Sequence, residues 1–99
     1  MKYGLFGKFV AQSGKRDELL EILLQAAELL KQNDKCFLYT VGKNDNPNEV
    51  LVYEVWENKE AHDVSLEPEN IRTLIMTAKP FIADMPAGVE FQALGGKGL

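Results

Sequence analysis

The stretch Val50-Leu51-Val52-Tyr53-Glu54-Val55-Trp56-Glu57-Asn58-Lys59-Glu60-Ala61-His62-Asp63-Val64-Ser65-Leu66 changes its period in the middle. Residues 50–56 are rich in β-branched and aromatic side chains, as a half-buried strand requires. From Glu57 onward the residues favour a helix start, with Asn58 placed as its N-cap. A strand that passes straight into a helix fixes where a sheet stops. Side chains converge at such an end, so Trp56 is expected beside a pocket.

The flanking chain extends this pattern. Residues 36–41 read as a strand, and Gly42-Lys43-Asn44-Asp45-Asn46-Pro47-Asn48 is dense in turn formers, which makes residues 50–56 the antiparallel partner. Residues 2–11 read as a first strand, with Tyr3, Leu5 and Phe9 on one face and Phe6 and Val10 on the other. Ser13-Gly14-Lys15 breaks it, and Ser13 or Asp17 could cap the helix that follows. Residues 16–32 carry the clearest helical stripe: Leu19, Leu23, Ala26 and Leu30, widened by Leu20, Ile22, Ala27 and Leu29. A short helical piece is expected over residues 59–65. A second long helix is expected over 69–79, opened by Pro68 and closed by Pro80. Residues 81–88 read as a connection, 89–94 as the last strand and 96–99 as a flexible tail behind a single domain of residues 1–95.

Strand, helix, strand, strand, helix, strand is the order of the ferredoxin-like α+β fold, a four-stranded antiparallel sheet with both helices on one face. That leaves the other face bare. In the third strand Leu51, Tyr53 and Val55 point one way while Val50, Val52 and Trp56 point the other; in the second, Phe37, Tyr39 and Val41 oppose Cys36 and Leu38. Both faces are apolar, and only one can meet the helices of the same chain. A large bare apolar patch is unusual on a soluble monomer. The second face is therefore expected to pack on the same sheet of a second copy, as a homodimer.

Composition removes several function classes. The net charge of −4, with Lys and Arg scattered among Asp and Glu, argues against nucleic-acid binding. Cys36 is the only cysteine, which rules out an internal disulfide and fits a reducing compartment. No window approaches the roughly 20 apolar residues that span a bilayer, and the first residues do not form a signal peptide. A soluble cytoplasmic protein without membrane partners is the expectation. One histidine, one cysteine and dispersed carboxylates make no metal site. Gly95-Gly96-Lys97-Gly98 opens no helix, so no phosphate loop for a nucleotide cofactor is expected.

The run Tyr53-Glu54-Val55-Trp56-Glu57-Asn58-Lys59-Glu60-Ala61 is similar to the signature of the antibiotic biosynthesis monooxygenase (ABM) domain family, and Ser13-Gly14-Lys15-Arg16-Asp17-Glu18-Leu19 fits the entry to its first helix. The resemblance covers residues 2–94. It implies a dimeric α+β barrel, two ferredoxin-like sheets packed face to face. It also implies a range of reactions: cofactor-free oxidation of phenols or hydroquinones (quinols) by O2, isomerisation of small phosphorylated signalling compounds, or haem degradation. Many relatives carry a histidine near the position of Ser65 or Leu66. Here the only histidine is His62, about one helical turn earlier. The haem-degrading branch expects an asparagine on the first strand, and residues 3–10 contain none.

A deprotonated dihydroxyaromatic can itself reduce O2, so the protein must hold the ring, exclude water and handle a phenolic proton. For that chemistry Trp56 and His62 are the candidate catalytic residues, on the strength of their own side chains. The indole can stack on a ring and donate its N–H to a quinone oxygen. The imidazole is the one side chain with an ordinary pKa near neutrality. Tyr53, Phe37, Tyr39, Ser65, Asn70, Arg72 and Met76 are the candidate substrate-binding residues, with Met85 as a further pocket wall or core filler. The bland reading runs beside each: Trp56, Tyr53, Tyr39 and Phe37 as core, His62, Asn70 and Arg72 as solvated helix residues, Cys36 as a small buried hydrophobe. The leading expectation is a cofactor-independent monooxygenase acting on a small aromatic phenol or hydroquinone. The rivals are a non-catalytic small-molecule-binding or stress-response module, and an isomerase of a small polar signalling metabolite.

Overall fold

The ten-residue strand β1 (Lys2–Ala11) is the centre of the sheet in a computed structural model that describes residues 2–99. It is followed by α1 (Arg16–Leu30), β2 (Cys36–Lys43), β3 (Glu49–Trp56), α2 (Lys59–Val64), α3 (Glu69–Ala78), a 3-10 turn at Lys79–Phe81, β4 (Ile82–Asp84) and β5 (Val89–Ala93). One edge of β1 pairs antiparallel with β3, which pairs with β2. Its other edge is shared, β5 taking positions 2–6 and β4 taking Val10 and Ala11. This is the ferredoxin-like α+β arrangement, with its fourth strand position divided between two short strands. The stretch expected as a plain connection thus contributes β4. Three residues are too few for a period-2 signal to be read in them.

The register confirms which side chains share a face. Val50, Val52, Glu54 and Trp56 of β3 stand opposite Phe9, Gly7, Leu5 and Tyr3 of β1. This face meets the helices: Ala11, Val50 and Val52 pack with Leu19, Ile22 and Leu23 of α1 and Ala78 of α3. Fully burying a side chain of that size is worth about 1.5–3 kcal/mol. On the opposite face Phe6, Tyr53 and Phe91 form an aromatic row, with ring centroids 6.1 Å and 5.9 Å apart. The ring of Phe91 lies across Gly4, where a Cβ would come within 2.7 Å of one ring carbon and nearer still to two others.

Strict alternation fails in β2. Cys36 stands opposite Trp56 and Leu38 opposite Val55, so Phe37 is an extra residue in a bulge. Tyr39 and Val41 pack toward the helix-side core as alternation predicts. Phe37 is instead 44% exposed, with the Lys2 ammonium 5.5 Å from its ring centroid.

Helix α1 starts without a side-chain cap, contrary to the expected Ser13 or Asp17. Gly14, at φ 75°, makes the turn, and the Lys15 N–H donates to the Gln12 carbonyl. Asp17 instead lies in the first turn with Glu18, where both favour the positive helix end. Arg16 ties this helix start to the β2–β3 turn by donating from Nη1 to the carbonyls of Asn44 and Asn46, at 3.3 and 2.6 Å. Asn58 does cap α2, accepting the Ala61 N–H at 2.7 Å. Among the described residues no helix is long and apolar enough to cross a membrane.

Candidate functional site

The helix layer does not close down on the whole sheet. Beyond the packed cluster a cavity of about 460 Å³ remains between the sheet, α1 and α3. Leu5, Phe9 and Tyr39 floor it, and Ile22, Leu23, Ala26 and Leu30 wall it from α1. The later half of the α1 stripe, Ala26 and Leu30, therefore faces a hollow rather than packed side chains. Ile71, Leu74 and Ile75 of α3 form the other wall, and Leu66, Lys79 and Met85 stand at the rim. Size and apolar lining are those of a small-molecule site.

One corner is polar, where β3 hands over to α2. Glu54 turns a side chain that is only 12% exposed toward it. Its Oε1 accepts the Trp56 indole N–H at 3.0 Å and lies 3.7 Å from His62 Nε2. Its Oε2 has no hydrogen-bond partner among the described residues. Burial raises the Glu54 pKa above the ordinary carboxylate range, against the opposing pull of the indole N–H and the imidazole. Tyr39, opposite Glu54 in the register, lines the same cavity, and its hydroxyl is likewise without a partner among the described residues. Burial, reinforced by the Glu54 carboxylate, raises its pKa too.

His62 sits between two carboxylates. Nδ1 is 3.0 Å from Asp63 Oδ1, so this nitrogen carries the hydrogen, because a carboxylate can only accept. The opposite nitrogen faces Glu54. The ring is clamped by Trp56, edge-on at 5.6 Å, and by Tyr3 at 5.7 Å. Ser65 donates its hydroxyl to the His62 carbonyl. The His62 hydrogen bond, then Lys59 at 3.1 Å, hold the Asp63 carboxyl below its usual range. Burial, then the hydrogen bond to Glu90, push the Tyr3 hydroxyl up to about 12. Cys36, opposite Trp56, is pushed up to about 11 by burial and by Glu54, which leaves it a poor nucleophile.

Of the residues singled out from the sequence, Trp56, His62, Tyr39 and Ser65 come together around this cavity, and Met85 stands at its rim. Tyr53 belongs to the aromatic row on the other face of the sheet, and Phe37 to the bulge. Asn70 borders an outer groove and caps its own neighbour, accepting the Ile71 N–H at 2.8 Å. Arg72 and Met76 point outward from α3, Met76 at 69% exposure. The indole N–H of Trp56, read as a donor for substrate, is already given to Glu54. Sequence reasoning missed Glu54 itself. Its signal was its place in the series Val50, Val52, Glu54, Trp56, a single carboxylate on an apolar strand face.

Comparison with known proteins agrees with the geometry. A family model described as antibiotic biosynthesis monooxygenase matches residues 3–74. A solved structure from Chloroflexus aurantiacus J-10-fl, provisionally described as an antibiotic biosynthesis monooxygenase, is 32% identical over 97% of this chain and 96% of its own, with a TM-score of 0.88. Structures given the same provisional description from Deinococcus radiodurans and Caulobacter crescentus CB15 share the fold. The first has 23% identity, coverage of 97% and 95%, and a TM-score of 0.79. The second has 18% identity, coverage of 95% and 91%, and a TM-score of 0.85. No curated protein matches the sequence significantly.

Proposed function

Since the chain belongs to the antibiotic biosynthesis monooxygenase family, we propose that it is a cofactor-independent monooxygenase oxidising a small aromatic phenol or hydroquinone with O2. The observation that carries this reading is an apolar hollow into which one buried carboxylate, Glu54, is turned, with His62 behind it. The apolar walls hold an aromatic ring and exclude water. Glu54 takes the phenolic proton through Oε2, and burial makes it a stronger base than an ordinary carboxylate. The Tyr39 hydroxyl, across the strand pair, donates to an oxygen on the ring. His62 relays the proton from Glu54 toward Asp63 at the surface.

The electron balance closes without a further reductant. For a phenol with an open para carbon, the ring C–H becomes C=O and the second oxygen atom leaves as water. The four electrons lost by the substrate are the four that O2 takes up. The same reading takes the chain as a homodimer. Phe6, Leu38, Leu51, Tyr53 and Phe91 would then be covered by the same face of a second copy. Its support is that Phe6 and Leu38 stand substantially exposed in the single chain.

Oxygen uptake with a panel of phenols and hydroquinones tests the chemistry. Uptake above autoxidation is expected for at least one, and Glu54→Gln should lower kcat by about 100-fold or more, the usual scale of general acid–base catalysis. An absence of uptake above autoxidation across the panel, or a Glu54→Gln variant as fast as the parent, would remove the reading.

A further inference from the structure

The lining of the cavity includes one lysine, and it stands at the end away from Glu54. Lys79 follows the last residue of α3 and borders the hollow with Ile75, Ile82 and Met85. Its ammonium makes no ion pair among the described residues. Asp84, the carboxylate nearest it in sequence, accepts the Met85 N–H instead.

Two backbone rulers bracket the length of the hollow, the shorter along the helix and the longer along the sheet. Ile71 borders it beside Ser65, at the His62 end, and Lys79 lies eight residues further along α3 and its cap, about 12 Å at the helical rise. On the sheet, Leu5 is opposite Glu54 and Ala11 is opposite Ile82, six residues or about 20 Å along β1. The walls between, Phe9, Leu23, Ala26 and Leu74, are apolar. A single small ring set against Glu54 would leave the far end of this space unfilled and Lys79 unpaired. At the rim, Ile75 and Met85 keep 39% and 61% of their surface exposed, so apolar contact is available there as well.

We propose that the cavity takes an elongated, two-ended ligand: a hydroxylated aromatic head against Glu54 and Tyr39, an apolar body, and an anionic group, such as a carboxylate, at Lys79. This rests on the reading of the cavity as the substrate site and adds the class of substrate. A charge-assisted contact at a half-open rim adds selectivity without needing a buried ion pair, whose desolvation would cancel much of its gain. The long stem of Lys79 can lie along Ile75 and Met85 while its head stays wet.

Calorimetric titration without O2 tests the ligand class apart from turnover. The probes are meta-phenylphenol, whose para carbon stays open, and its counterpart bearing a carboxylate on the para carbon of the far ring. The parent should bind the carboxylate at least about threefold more tightly, with a preference that shrinks as salt is raised. Lys79→Met, which keeps the stem and removes the charge, should erase the preference while leaving meta-phenylphenol affinity within about twofold. Lys79→Arg should retain the preference. Equal affinity for the two probes in the parent, or an equal loss of both in Lys79→Met, overturns the proposal and leaves the oxygenase reading intact. Failure of both probes to bind overturns the cavity as the ligand site, and both readings with it. A carboxylate preference in a protein that never consumes O2 sustains the proposal and removes the oxygenase.

Discussion

Gly4→Ala should destabilise the protein by about 1–3 kcal/mol, the usual range for overpacking. The added methyl would lie 2.7 Å from one carbon of the Phe91 ring and closer to two more, a separation that side chains do not tolerate. Phe91 is the direct cross-strand partner of Gly4, so the ring has to swing off the sheet. Its contact with Tyr53, at 5.9 Å between centroids, goes with it. Such an aromatic pair is worth about 0.5–1.5 kcal/mol. Part of the roughly 1.5–3 kcal/mol from burying a Phe side chain is also lost. Against this, replacing a glycine reduces unfolded-chain freedom, a gain of about 0.4–1 kcal/mol. The losses are larger. For a chain of this size the melting temperature should fall by about 4–8 °C for each kcal/mol.

Urea unfolding followed by circular dichroism measures the effect, with a lower midpoint and an unchanged slope. Gly7→Ala is the control, since a methyl there meets no atom within 4 Å. A smaller side chain at Phe91 should recover part of the loss in the Gly4→Ala background, as a coupled pair requires. If Gly4→Ala proves as stable as Gly7→Ala, the ring does not lie over the glycine and the reasoning fails.

Glu54→Gln should stabilise the fold at neutral pH even as it slows the proposed oxidation. The Glu54 pKa is raised on folding, so its contribution is most favourable below the unfolded carboxyl pKa and declines as pH rises through the folded one. Melting temperatures from pH 4 upward should show the variant gaining on the parent; a parent that gains on the variant with rising pH contradicts the assignment. Tyr53→Ser, on the sheet face opposite the cavity, should shift the proposed dimer toward monomer and make thermal stability steeply concentration-dependent. A parent that sediments as a monomer at micromolar concentration would refute the proposed pairing.

Much of the fold could be read from residue order because periodicity carries it. The stripe from Leu19 to Leu30 marks α1, and the turn formers at 44–48 with apolar runs on either side mark the β2–β3 hairpin. Asn58 was legible as a cap because a short amide before a helix has few other uses. The bulge at Phe37 was not. One extra residue leaves composition unchanged and alters only which face the next side chains take. Glu54 was overlooked for a different reason. A glutamate in a strand reads by default as a solvent-facing position, and that default outweighed its place between Val52 and Trp56 on an apolar strand face, where the indole N–H holds it inside. The cavity could not be read either, because Ala26 and Leu30 look the same in sequence whether they touch a core or border empty space.

The chain has one tryptophan, one histidine and one cysteine; the first two line the cavity beside Glu54, and the third lies behind them on the neighbouring strand. Cys36 lies across from Trp56 in the strand pair, and the His62 ring rests edge-on against the indole. Fluorescence emission, imidazole resonance and thiol labelling rate are therefore three unambiguous signals reporting on one place without any engineered label. A compound that settles beside Glu54 should disturb all three together. One that alters a single signal has bound elsewhere.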